Sequence, residues 1–125
     1  MQACKSELFE KLRTSRFRSR FRLSQNDRVY IADRGLDVIS GHAFDFIRTR
    51  LAPAAVPNEG RQTPFRGHPV FVAQHASATC CRRCLKKWHH IERGRPLNED
   101  EVCYIHDVIL AWIRQQLSNS DDTFF

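Results

Sequence analysis

Apolar residues recur at helical spacing through most of this chain, and the places where that period breaks are as informative as the places where it holds. Leu8, Phe9 and Leu12 share one helical face, with Ser6 as a cap, and predict a short first helix. Ser24 with Asp27 three residues on forms a capping-box signal for a second helix that Gly35 closes. Leu36, Ile39, Ala43, Phe46, Ile47 and Leu51 form one stripe of an amphipathic helix ending before Pro53. Gly41 inside it lowers helix propensity by about 1 kcal/mol relative to alanine, which predicts close packing or a kink. The firmest element is the last: Asn98 and Glu101 supply a second capping box, and Val102, Ile105, Ile109, Trp112 and Ile113 keep to one side.

Two segments follow another rule. In residues 16 to 22, Arg16, Arg18, Arg20 and Arg22 alternate with Phe17, Ser19 and Phe21; an extended strand or arm would place four guanidinium groups on one face. Residues 53 to 69 hold Pro53, Pro57, Pro64 and Pro69 with Gly60 and Gly67, a long connection of the kind that is usually a functional loop or a linker. The run Val70–Ala73 after it reads as a strand or buried turn. The pattern therefore predicts a mainly α, small single domain over residues 1–125, with at most a short strand pair and frayed ends near 1–5 and 118–125.

Charge adds a direction. The net charge is +6, but residues 11 to 28 hold all but one of their charges as Lys or Arg, residues 61 to 95 do the same, and residues 96 to 125 are acidic. Basic blocks of this kind are the electrostatic footprint of a nucleic-acid or acidic-protein partner. Arg16, Arg18, Arg20, Arg22, Arg82, Arg83, Lys86 and Lys87 are the candidate phosphate contacts. The start of the chain has charges throughout and no apolar core of a leader, and no apolar run approaches a membrane span, so the expectation is a cytoplasmic protein with no membrane partner.

In that compartment cysteines serve as reduced thiols or metal ligands rather than as a disulfide framework. Three of the five cysteines lie together: Cys80, Cys81 and Cys84. A C-x-x-C turn presents two sulfurs to one ion, and Cys81 with Cys84 forms one. His75 and His89 flank it in the pattern H-x5-C-x-x-C-x4-H, and Cys80 and His68 are substitutes for either imidazole. Zinc is the implied metal. The competing reading is a redox or nucleophilic centre, since Arg82, Arg83, Lys86 and Lys87 would favour thiolates. Cys103 and His106, three apart on the last helix, read as a core cysteine and a partly exposed histidine. Trp88 is either a stacking platform for a base or a core anchor. The deaminase signature is excluded, because neither His68 nor His75 is followed by the required glutamate and Thr79 and Cys80, not proline, precede the knuckle.

The run from His68 to His89, with the segments around His42 and Tyr104, resembles a small bacterial and phage-borne family described only as a domain of unknown function. The likeness spans roughly residues 8 to 113 and implies that His68, His75, Cys80, Cys81, Cys84, Trp88 and His89 match its motif positions. Arg83 and Glu92 stand where that family has glycine and proline, while Cys103 and His106 fall at variable or apolar positions. The expectation is a small zinc-binding module for nucleic acid or an acidic protein surface. Two alternatives go with it. One is a metal-dependent hydrolase with an open zinc position, His68 or His90 as general base and Arg61 or Arg66 on the phosphate. The other is a phage-encoded inhibitor of a host protein.

Overall fold

The computed structural model describes residues 5–54, 61 and 63–119. It is built from helices, and no strand occurs among the described residues. They are α1 (Lys5–Thr14), α2 (Gln25–Arg34), α3 (Leu36–Phe46), α4 (Pro69–Ala76), α5 (Arg82–His89) and α6 (Glu99–Asn119). The ends expected to fray lie mostly outside the described residues; Lys5, Ser118 and Asn119, which are described, belong to helices. Ser6 lies inside α1 rather than before it.

Both capping boxes form. Asp27 N donates to Ser24 Oγ at 3.1 Å and Ser24 N to Asp27 Oδ2 at 3.0 Å. Glu101 N donates to Asn98 Oδ1 at 2.8 Å and Asn98 N to Glu101 Oε1 at 3.0 Å. Each reciprocal pair satisfies two amides that the first helical turn would leave without acceptors.

The stripe predicted on α3 continues into a π turn, Ile47–Leu51, where Ala52 N reaches back to Ile47 O at 2.9 Å. Gly41 faces open space: a β-carbon added there would meet no atom within 4 Å, so the helix passes through it without the expected close approach. On α6, Ile105, Ile109 and Ile113 are fully buried at successive i, i+4 positions. Each such side chain contributes about 1.5–3 kcal/mol by leaving water. α6 lies along α3, its π turn and α4, and these surfaces form one continuous core with α1.

Two segments depart from the pattern reading. Residues 16 to 22 do not form one extended arm: Arg18–Arg20 form a 3-10 turn, with Ser15 Oγ accepting from Arg18 N at 3.1 Å, and the backbone extends only from Phe21. The turn breaks the alternation, so Arg18 points inward at 9% exposure while Arg16, Arg20 and Arg22 stay in solvent. The run from Val70 belongs to α4, neither strand nor turn, and all eight residues of that helix are buried. A helix enclosed on every side has no polar face, and its sequence carries no 3.6-residue signal. Pro69 at its first position and His68 Nδ1, accepting from Val70 N at 3.0 Å, start it.

Candidate metal centre

The chain leaves α4 through a turn that buried polar groups hold rigid. Ala78 adopts the left-handed conformation (φ 61°) at zero exposure. Around it Ser77 Oγ donates to Ala73 O at 2.7 Å, Gln74 Nε2 to Thr79 O at 3.1 Å, and Thr63 Oγ1 to Cys80 O at 2.8 Å. This turn delivers Cys80 and Cys81 to the start of α5, where Cys81 caps the helix and its Sγ accepts from Cys84 N at 3.4 Å.

The three sulfurs lie within 4.8 Å of one another, a group that can hold a metal ion. Cys81 Sγ stands 3.2 Å and Cys80 Sγ 3.6 Å from Cys84 Sγ. They open on a recess of about 320 Å³ walled by Phe17, Phe65, His75 and Trp88 and edged by Arg83 and Lys87. Trp88 thus does two things, packing against the core and lining the recess.

Arg18 is the residue that no local pattern announced. Its Nη2 donates to Cys84 Sγ at 3.0 Å and its Nη1 to His75 O at 2.8 Å, with Cys80 Sγ 3.5 Å away. Despite that cation, all three thiols are shifted up. A hydrogen bond with Cys81 and then burial raise Cys80 against an opposing one with Cys84; a bond with Cys80 and then burial raise Cys84 against an opposing one with Cys81; and Cys81, lowered by its bond with Cys80, is raised by Cys84 and by burial. Of the cations expected to favour thiolates, Arg82 and Lys86 bond to backbone carbonyls and to Glu92 instead, while Arg18 bonds Cys84 Sγ.

His75 lines the same recess. Its Nε2 lies 3.0 Å from Thr63 O, an acceptor only, so Nε2 carries the proton and Nδ1 presents a lone pair. That Nδ1 is buried and without a hydrogen-bond partner among the described residues. Burial, ahead of Arg18's charge, lowers the pKa and keeps the ring neutral.

The other predicted ligands are engaged elsewhere. His89 Nδ1 is 2.9 Å from Tyr104 Oη and its Nε2 2.9 Å from Ser77 O, so both nitrogens are occupied in the core. His68 caps α4 and contacts His42 Nδ1 through Nε2 at 2.9 Å, with Tyr30 edge-on. Burial, then His42, lowers its pKa to about 4. His90, exposed at φ 60°, terminates α5. His106 meets Ser40 Oγ at 2.7 Å and stacks on Phe44, while Cys103 is exposed rather than in the core. Cys4 lies outside the described residues.

The predicted phosphate contacts divide as well. Arg82 is 2% exposed and donates to the carbonyls of Leu51, Pro53, Glu92 and Arg95, clamping the end of the π turn to the loop after α5. Lys86 pairs with Glu92 at 3.0 Å on the surface. Arg16, Arg20, Arg22, Arg83 and Lys87 remain exposed. No described helix is long and apolar enough to cross a membrane.

Residues 6–114 match the model of a family described as a domain of unknown function (DUF4186). No solved structure matches the chain.

Proposed function

The chain belongs to this family of unknown function, and we propose that it is a small zinc-binding module whose ion is held by Cys80, Cys81, Cys84 and His75 and whose exposed cations take a polyanionic partner. The observation that carries the metal is the sulfur triangle. Tetrahedral zinc with metal–sulfur bonds of about 2.3 Å separates its sulfurs by about 3.8 Å, close to the 3.2 and 3.6 Å found here. His75 fits as the fourth ligand because it has what such ligands have: one N–H given to a backbone carbonyl and a bare nitrogen on the other side. Its ring has to move to bring Nδ1 within bonding reach, since His75 is not part of the close-set group. Three thiolates on a divalent ion leave one negative charge, which the guanidinium of Arg18 offsets at 3.0 Å from Cys84 Sγ.

Support for a hydrolase is weaker. No carboxylate lines the thiol recess among the described residues, and His68 is committed to His42 and to the cap of α4. An inhibitor of a host protein rests on the family likeness alone.

Metal analysis of the purified protein tests the reading. One zinc per chain is expected, lost together with thermal stability in Cys81→Ser and Cys84→Ser. Retention of full metal content and an unchanged Tm in both variants would overturn it. His75→Ala separates a four-ligand site, where metal affinity falls, from a three-cysteine site with an outside fourth ligand, where it does not.

A further inference from the structure

A ridge of two phenyl rings separates the thiol recess from a second, larger one. Phe17 and Phe65 line both cavities, stand 6.4 Å apart edge to face, and are 41% and 59% exposed. Exposed phenyl rings forgo the stabilisation that burial would supply, about 25 cal/mol for each Å² of apolar surface. Each packs against a neighbouring ring: Phe65 stacks on the buried His75 ring at 4.3 Å, and Phe17 packs edge-on against Phe21 at 5.2 Å. The result is a pair of aromatic surfaces facing water.

Cations flank the ridge on both sides. Arg20, Arg22 and Arg66 edge the larger recess, about 910 Å³, and Arg83 and Lys87 edge the thiol recess. All five are exposed, and none forms an ion pair with an acid among the described residues. The one acid in either lining, Asp27, is engaged in the capping box of α2. Rings in the middle with phosphate-binding groups at either edge form the pattern that takes unpaired bases and their backbone. A duplex hides its base faces and leaves the rings without partners; an acidic peptide satisfies the cations and leaves the rings unused.

We infer that this ridge binds single-stranded nucleic acid, the strand crossing from the larger recess to the thiol recess with bases stacked on Phe65 and Phe17. The inference names the partner of the module proposed above and rests on that reading; Arg18 joins the thiols to the segment carrying Phe17, Arg20 and Arg22, and Phe65 stacks on His75. RNA and DNA share the chemistry of the site, and the 2′-hydroxyl distinguishes them.

The test is fluorescence anisotropy of the full chain, as purified, with a labelled 12-nucleotide DNA, its RNA counterpart and a hairpin duplex, over a range of salt. Single strands are expected to bind more tightly than the duplex, with affinity falling as salt rises. Phe65→Ala weakens single-strand binding about tenfold with the helical circular dichroism kept and the salt slope unchanged, because the ring carries no charge. Arg66→Ala and Lys87→Ala each lower the salt slope by about one. Equal affinity for duplex and single strand, displacement by poly-glutamate as effective as by unlabelled oligonucleotide, or full affinity in Phe65→Ala would each overturn the inference. Metal is measured on the same samples. Binding that behaves as expected in a metal-free protein supports this inference and removes the zinc reading; a zinc protein that binds no strand does the reverse.

Discussion

Arg18 Nη2 donates to Cys84 Sγ at 3.0 Å across 66 residues of sequence. The bond joins the 3-10 turn after α1 to the start of α5, and a second donation, to His75 O at 2.8 Å, ties the same guanidinium to the end of α4. One cation thus holds the segment after α1 to two successive helices more than fifty residues further along the chain.

Removing that cation should loosen the metal before it unfolds the protein. Arg18→Ala is expected to lower metal affinity about 10–100-fold, the range for groups that orient or balance a ligand without touching the ion. Arg18→Lys, with a charge but no planar fork, should fall between. Competition with a chromophoric chelator reads both. Unchanged affinity in Arg18→Ala would mean that the guanidinium plays no part in holding the ion.

Arg82 should behave as a structural residue despite its place in the C-x-x-C turn. Arg82→Ala leaves the carbonyls of Leu51, Pro53, Glu92 and Arg95 without their charged donor in a buried setting. A loss of at least about 3 kcal/mol in urea unfolding is expected. A change within about 0.5 kcal/mol would show that water substitutes for it.

His89 offers a sharper contrast with His75. His89→Ala should destabilise by about 3 kcal/mol, through the cavity left and the unmet Ser77 carbonyl and Tyr104 hydroxyl, while the metal content stays at the wild-type level. Loss of metal from a variant that stays folded would make His89 a ligand and the present arrangement of its ring wrong.

Acid sensitivity has a traceable source in His68. Its pKa is about 4 against 6.5 for an ordinary histidine, lowered by burial and then by His42, with Asp27 acting in the opposite sense. Between those values the unfolded chain takes up a proton that the folded chain refuses. The stabilisation is complete above about pH 6.5 and is lost as pH falls toward 4. His68→Asn preserves an acceptor for Val70 N and removes this linkage. The fall in Tm between neutral pH and pH 5 should therefore be smaller in the variant, though not abolished, since burial also lowers His75 and His89. An identical fall in both proteins would place the acid response elsewhere.

Short-range chemistry is readable directly from the order of residues. The capping boxes at Ser24 and Asn98, the stripes of α3 and α6 and the pairing of Cys81 with Cys84 all depend on neighbours within a few positions, where backbone geometry leaves little choice. Residues 16 to 22 and α4 escape such a reading for opposite reasons. The first has a period that helix and strand could both use until the Ser15 bond closes a turn; the second is buried all round and has no period at all.

Sequence by itself thus determined a helical chain with a cysteine cluster and an uneven positive charge, because those follow from composition and local spacing. It offered His75 and His89 as ligands with His68 as a substitute, and eight cations as equal phosphate contacts. Only the tertiary structure separated them, by where it put distant carbonyls and hydroxyls: Ser77 O and Tyr104 Oη occupy His89, Val70 N and His42 occupy His68, and Thr63 O leaves one nitrogen of His75 bare. An imidazole or a guanidinium has the same chemistry wherever it stands, and what it does is settled by which partners burial forces it to accept.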